Sequence, residues 1–207
     1  LGEAANLLSH HLFSQGMWAA SRGPVKRFWV ERHGAVPDGF GNPYPHQRTA
    51  TNPTILSSSP HVFPADGAGN DCGQIVPPYV GDCGYDGAGE LLGFLYPGLD
   101  KPGDANPQDL IEVTLPGADD ADLLETAYLY VPTACKDGAK PCALHMALHG
   151  CAQSAEVLGT DFMTTSGYLP WAEANGIVLA FPQVESSKIA PMNPHGCWDW
   201  WGYTGDD

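Results

Sequence analysis

The alternation of apolar and polar positions changes period several times along the chain, and each change predicts an element. Near the start, Leu7, Leu8, Leu12, Phe13 and Trp18 recur at helical spacing. From Arg22 to Ser59 the pattern dissolves into Pro, Gly, His and Ser, with one short strand candidate at Arg27–Val30. So long a stretch without periodicity is unusual inside a compact domain. Order returns after His61. Asp86-Gly87-Ala88-Gly89 leads into Glu90–Tyr96, which predicts a helix with Asp86 near its N-terminus. Gln108–Leu115 and Thr126–Val131 alternate as strands do, with turn-prone Gly117–Asp120 between them.

Further on, Pro132–Pro141 reads as a loop, and Cys135 and Cys142 are placed to pin it. Ala143–Leu148 is a short apolar run suited to a buried strand. Ala155–Ala174 reads as helical with a break near Gly167, and Ile177–Phe181 as a second buried strand stopped by Pro182. Strand, loop, helix and strand make a βαβ unit, so the expected class is α/β with a parallel sheet. No internal repeat or low-complexity tract interrupts this order.

Composition narrows the function classes. The 207 residues suffice for one domain or most of one, and 25 Gly with 19 Pro imply a loop-rich surface. A formal charge of −15 argues against nucleic acid or an anionic membrane as partner, since both require a basic face. Residues 1–50 hold five Lys or Arg against three Asp or Glu, whereas the remainder is strongly acidic. That shift marks a boundary near residue 50. No run reaches the ~18 apolar residues of a membrane span, and Leu1–Leu8 lacks the basic start and apolar core of a signal peptide.

Six cysteines form an even set with close neighbours: Cys72 with Cys83, Cys135 with Cys142, and then Cys151 and Cys197. In a chain this rich in Pro and Gly they favour disulfides and an oxidising compartment. Zinc fits poorly, because no C-x-x-C pair occurs and the spacings are irregular. Six cysteines permit about 15 pairings, so spacing alone leaves the connectivity open. A Cys151–Cys197 bond would close a long loop and contribute about 4 kcal/mol in the chain-entropy model.

Two segments carry chemistry. His149-Gly150-Cys151 follows directly on the Ala143–Leu148 strand, where hydrolases of the α/β class place a backbone N–H donor for the oxyanion. A donor so placed contributes about 3–4 kcal/mol to the transition state. A strand-end turn stapled by a disulfide would carry the same residues. The second segment, Asn193-Pro194-His195-Gly196-Cys197-Trp198-Asp199-Trp200-Trp201-Gly202-Tyr203, clusters aromatic groups beside a cysteine. If extended, Trp198 and Trp200 would point to opposite sides, one inward and one toward a crevice. His195, His145, His10 and His11 show no metal-ligand spacing, and Ser154 and Ser166 read as structural.

These segments, taken with Pro60-His61-Val62-Phe63-Pro64, Cys83-Gly84-Tyr85-Asp86-Gly87-Ala88-Gly89, Tyr128-Leu129-Tyr130-Val131-Pro132 and Gly167-Tyr168 with Trp171-Ala172, resemble one family. It is the secreted poly(3-hydroxybutyrate) depolymerases, whose catalytic order is circularly permuted. The likeness covers residues 60–203, about two-thirds of the chain. It implies a permuted α/β-hydrolase-like domain, present as a C-terminal portion, with residues 1–58 as a poorly matched segment and 59–207 as the hydrolase part. It further implies secretion, no metal or organic cofactor, and an aliphatic polyester or short ester as substrate.

The resemblance assigns roles residue by residue. His61 corresponds to the triad histidine, Cys151 to the donor of an oxyanion N–H with its sulfur joined to Cys197, and Trp200 to an aromatic residue of the substrate crevice, with Trp198 beside it. The family places its nucleophile and acid before this histidine, and here the pattern departs from it. No Gly-x-Ser-x-Gly occurs anywhere. The nearest local substitute, Leu12-Phe13-Ser14-Gln15-Gly16, puts Leu12 where the strained nucleophile turn needs glycine. Asp38, in Pro37-Asp38-Gly39, qualifies as the acid on turn chemistry alone. Ser14 and His61 lie only 47 positions apart, too few for the usual intervening strands and helices. The leading expectation is therefore a serine ester hydrolase whose Ser and Asp belong to an N-terminal half outside this chain. The alternatives are a non-catalytic polyester-binding module and a small-ester esterase acting through Ser14.

Overall fold

The computed structural model describes residues 61–96, 98–118, 123–139, 141–190, 192–199 and 202–204. Ser14, Asp38, Trp200 and the whole segment 1–58 lie outside the described residues. Two sheets organise the rest. In the first, β1 (Phe63–Ala65), β3 (Val80–Asp82) and β2 (Asn70–Asp71) run parallel in the order β1-β3-β2. Such short strands need help to stay paired, and the Cys72–Cys83 disulfide ties the ends of β2 and β3 together. Gly69, at φ +90°, lets the chain pass where any Cβ would collide with the Val80 carbonyl.

The second sheet has the order β4-β5-β7-β6, from β4 (Leu110–Thr114), β5 (Thr126–Tyr130), β6 (Ala143–Met146) and β7 (Ile177–Phe181). The hairpin-linked β4 and β5 pair antiparallel, β5 pairs antiparallel with β7, and β6 runs parallel to β7. The expected βαβ unit is therefore present within a mixed sheet. Between β6 and β7 the expected helix is broken into three: α2 (Ala155–Leu158), α3 (Asp161–Thr165) and α4 (Tyr168–Asn175). Gly159 at φ +58° and Gly167 at φ +86° supply the two breaks, of which the sequence reading anticipated only the second.

The helix expected at Glu90–Tyr96 is α1, Gly87–Leu95, capped by Asp86. One Asp86 oxygen accepts from the Gly89 N–H at 2.7 Å, and the other from Trp171 Nε1 at 2.8 Å. The cap thus also docks α1 on α4. A side chain at position 89 would strike both Asp86 and the Trp171 ring. Ala88, Leu91 and Leu92 of α1, Met163 of α3, and Leu169 and Ala172 of α4 meet Tyr130, Ile177, Leu179 and Phe181 in the main core. Phe63 joins the small sheet to this core through Phe162 and Tyr168, each ring 5.7 Å away.

One expectation fails. The run Ala143–Leu148 is not a strand buried on both faces: β6 is an edge strand, with Leu144 64% and Met146 59% exposed. Only its other face, with His145 and then Ala147, is covered. The residues 133–142 form a loop closed by Cys135–Cys142. No described helix is long and apolar enough to cross a membrane.

Candidate active site

The parallel strand β6 ends in the loop 147–153, which a set of hydrogen bonds ties to itself and to its neighbours. The Gly150 N–H donates to Gln153 Oε1 at 2.8 Å, the Gln153 N–H to the Gly150 carbonyl at 3.1 Å, and the Ala152 N–H to the His195 carbonyl at 2.6 Å. Gln153 Nε2 in turn donates to the carbonyls of Pro78 at 2.9 Å and Tyr79 at 3.2 Å. Gly150 must be glycine, because a Cβ there would sit 2.6 Å from Gln153 Oε1. Ala152 adopts φ +60°, a left-handed conformation that costs a non-glycine residue about 1 kcal/mol. Among the described residues, nothing accepts the Cys151 N–H. Half-buried Cys151 thus carries an open donor between the occupied donors of Gly150 and Ala152.

A second loop, Asn193 to Thr204, is bolted to the first. Cys151 and Cys197 form a disulfide with Cα atoms 4.3 Å apart. Trp198 Nε1 donates to the His149 carbonyl at 2.8 Å, and its ring lies 5.5 Å from the His149 ring. Buried Asn193 organises the loop from within: its Nδ2 reaches the carbonyls of Glu185 and Cys197 and the Tyr203 hydroxyl, while its Oδ1 accepts from the Cys197 N–H. Asp199 folds the next segment back, accepting from the N–H groups of Gly202, Tyr203 and Thr204 and from the Thr204 hydroxyl. Burial opposes its charge, but these bonds win and hold its carboxyl below the ordinary range. Trp198 sits in this bent chain rather than in an extended strand; Trp200 lies outside the described residues.

His61 is exposed, two residues before β1. Its loop and the Cys151 loop meet at one group. The Tyr79 carbonyl accepts both the Phe63 N–H, at 2.8 Å, and Gln153 Nε2. Tyr79 reaches that place at φ +58°, just after the cis bond between Pro77 and Pro78. His61, Cys151 and Trp198 are therefore carried by three loops with shared anchors. Ser14, Asp38 and Trp200 cannot be added to that arrangement. Among the described residues, no group of three or more His, Cys, Asp or Glu is arranged to hold a metal.

Sequence reasoning overlooked Gln153, Asn193 and Asp199. Asp199 had a local signal, a turn-forming Asp three residues before a Gly. Gln153 and Asn193 had none, since a buried amide announces itself only through the partners that the folded chain brings to it. The histidine of the His-Gly motif was likewise passed over: His149 is 2% exposed and His145 7% exposed. Burial lowers both to about 4, leaving them neutral near pH 7.

Fold and site together define a disulfide-stapled α/β protein that presents a backbone donor at the end of a parallel strand. Over 160 residues, 71% of its length, the chain is 38% identical to the polyhydroxybutyrate depolymerase of Talaromyces funiculosus. Over 152 residues it is 34% identical to the poly(3-hydroxybutyrate) depolymerase of Delftia acidovorans. Two solved structures superpose with a TM-score of 0.67 over 72% of this chain. One is the PHB depolymerase from Penicillium funiculosum, at 34% identity; the other, at 35%, is a PHB depolymerase with a serine replaced by alanine, complexed with an R3HB trimer. The chain belongs to the PHB depolymerase family. It spans 47% and 29% of the two curated relatives and 51% of each solved chain. No family model matches it.

Proposed function

We propose that the chain is the C-terminal portion, residues 59–207, of a permuted α/β-hydrolase domain that cleaves aliphatic polyester through a serine nucleophile. The observation that carries this reading is the Cys151 N–H, which no described residue accepts, held between occupied donors at the position that the resemblance assigns to the oxyanion donor. In the proposed reaction, a serine Oγ attacks the ester carbonyl carbon while His61 takes the hydroxyl proton. The carbonyl oxygen becomes an oxyanion and accepts the Cys151 N–H, which costs no reorganisation because the loop is already fixed. Collapse breaks the bond to the alcohol, which leaves with the proton from His61, and water then repeats the sequence on the acyl-serine.

Trp200 and Trp198 would supply the apolar wall that an aliphatic chain with spaced carbonyls requires. The (R)-3-hydroxybutyrate trimer bound by one relative supports that substrate class. Three disulfides support export to an oxidising compartment. The nucleophile and the acid are assigned to an N-terminal half, which the span of about half the relatives' length supports.

Fluorophosphonate labelling of the purified chain, followed by peptide mass spectrometry and trimer binding, tests this. The expected result is a folded chain that binds the trimer and labels on no serine. A label on Ser14 that disappears in His61→Ala would replace the portion with a complete, compressed esterase. A folded chain that neither labels nor binds the trimer would sink both readings.

A further inference from the structure

The peptide unit between Gly150 and Cys151 is planar, so its C=O and N–H point in nearly opposite directions. Whatever grips the Gly150 carbonyl therefore aims the Cys151 N–H. Two donors grip it: the Gln153 N–H at 3.1 Å and His149 Nδ1 at 2.8 Å. The first comes from Gln153, whose side chain is tied to the Pro78 and Tyr79 carbonyls. The second comes from a ring that is itself fixed from outside the loop.

Two contacts hold that ring from outside the loop, and a third holds the His149 backbone. The Val184 N–H, just past β7, donates to His149 Nε2 at 3.2 Å. The Trp198 indole lies against the ring at 5.5 Å, and its Nε1 donates to the His149 main-chain carbonyl. The chemistry of the partners also fixes the tautomer. A carbonyl can only accept and a backbone N–H can only donate, so Nδ1 carries the proton and Nε2 offers a lone pair. Burial favours the same neutral form. Protonation would place a second N–H against that of Val184, and the Nε2–H tautomer would set a lone pair against the Gly150 oxygen.

We propose that His149 is a positioning residue for the oxyanion donor: its neutral, Nδ1-protonated ring aims the Cys151 N–H by holding the opposite end of the same peptide. Its catalytic consequence rests on the reading of Cys151 given above; the geometric claim does not. Val184 and Trp198 act through His149, and so transmit the placement of β7 and of the aromatic loop to one amide. A histidine that merely filled space would be replaceable by any ring of the same size.

Nuclear magnetic resonance on the ¹⁵N-labelled full chain tests this without turnover. In the wild type, the His149 ring nitrogens are expected to report the Nδ1–H tautomer, and an Nε2–H ring would overturn the proposal before any variant is made. In His149→Phe the Cys151 amide signal should shift and lose intensity to exchange between peptide orientations, while signals from the α1 and α4 core stay in place. His149→Asn, whose side-chain amide can return a donor near the Nδ1 position, should restore a single sharp Cys151 signal. A Cys151 amide unchanged in His149→Phe would reduce His149 to a core filler. If the Phe variant does not fold, the tautomer and the Asn variant still decide. Adding the R3HB trimer to the wild type separates the two claims. A shift at Cys151 supports the polyester reading; no shift, with tautomer and variants behaving as expected, sinks that reading and leaves the clamp standing.

Discussion

On one face of the four-stranded sheet, Tyr130, Leu179 and Phe181 are sealed under α1, α3 and α4, each no more than 1% exposed. On the other face, Ile111, Leu129, Ala180 and Met146 stand in register across all four strands, and Leu144 pairs with Val178 beside them. There, Ile111, Leu144 and Met146 are 48%, 64% and 59% exposed. Both faces are apolar, so composition does not separate them. Only the presence of packed helices does. An apolar row contributes to stability through the area removed from water, at roughly 25 cal/mol per Å², and a row left in water contributes little however hydrophobic it is.

The contrast is broken most directly by emptying the covered face. Phe181→Ala should destabilise the fold by about 3–5 kcal/mol, as deletion of a buried ring does, read as a lower urea midpoint. A loss below about 0.5 kcal/mol, within the range of ordinary surface substitutions, would mean the helices do not seal that face.

Acid probes the same side next. His145, between Tyr96 and Tyr168 on the covered face, and His149 have folded pKa values lowered to about 4 by burial. Between the ordinary value of 6.5 and about 4 the unfolded chain binds more protons than the folded one. Stability is therefore full above pH 6.5 and falls as pH drops through that window, by about 3 kcal/mol per histidine. Glu173 and Asp199 have lowered values and lose their share only at still lower pH. Urea midpoints measured from pH 7.5 to 4.5 should decline, and less steeply in His145→Leu. A flat profile would contradict neutral burial of both rings.

A smaller effect is expected at Tyr130, whose hydroxyl donates to Glu173 at 2.7 Å while Glu173 also accepts from the Thr133 N–H. Burial, with Glu173 adding to it, pushes the phenol pKa well up. Tyr130→Phe keeps the packing and removes one hydrogen bond to a charged acceptor, worth about 1.5–3 kcal/mol. The smallest effect belongs to the open face. Leu144→Lys and Met146→Lys should change stability by no more than about 0.5 kcal/mol, yet reduce self-association in light scattering by blunting an apolar edge. A large loss of stability from either would show that this face is packed in solution.

From Gly87 onward the sequence determined the element order and class, because periods of two and 3.6 survive wherever one face meets a core; the short strands β1 to β3 are too brief to show a period. It determined the Asp86 cap, since a short acceptor before Gly87-Ala88-Gly89 has few other uses. It also gave the position of the donor loop, as Gly150 directly after an apolar strand, and family membership, through ordered motifs that no single element carries. Tertiary structure alone decided which apolar run is buried. Ala143–Met146 reads as a core strand by pattern and lies at an edge by topology. It also decided that Gln153, Asn193 and His149 tie the candidate-site loops together. Their partners lie 75, eight and 35 positions away at Pro78, Glu185 and Val184, and hydrogen bonds of that reach leave no periodic trace along the chain. The direction of the Cys151 N–H belongs to the same class: sequence supplies the amide, and only the folded loop aims it.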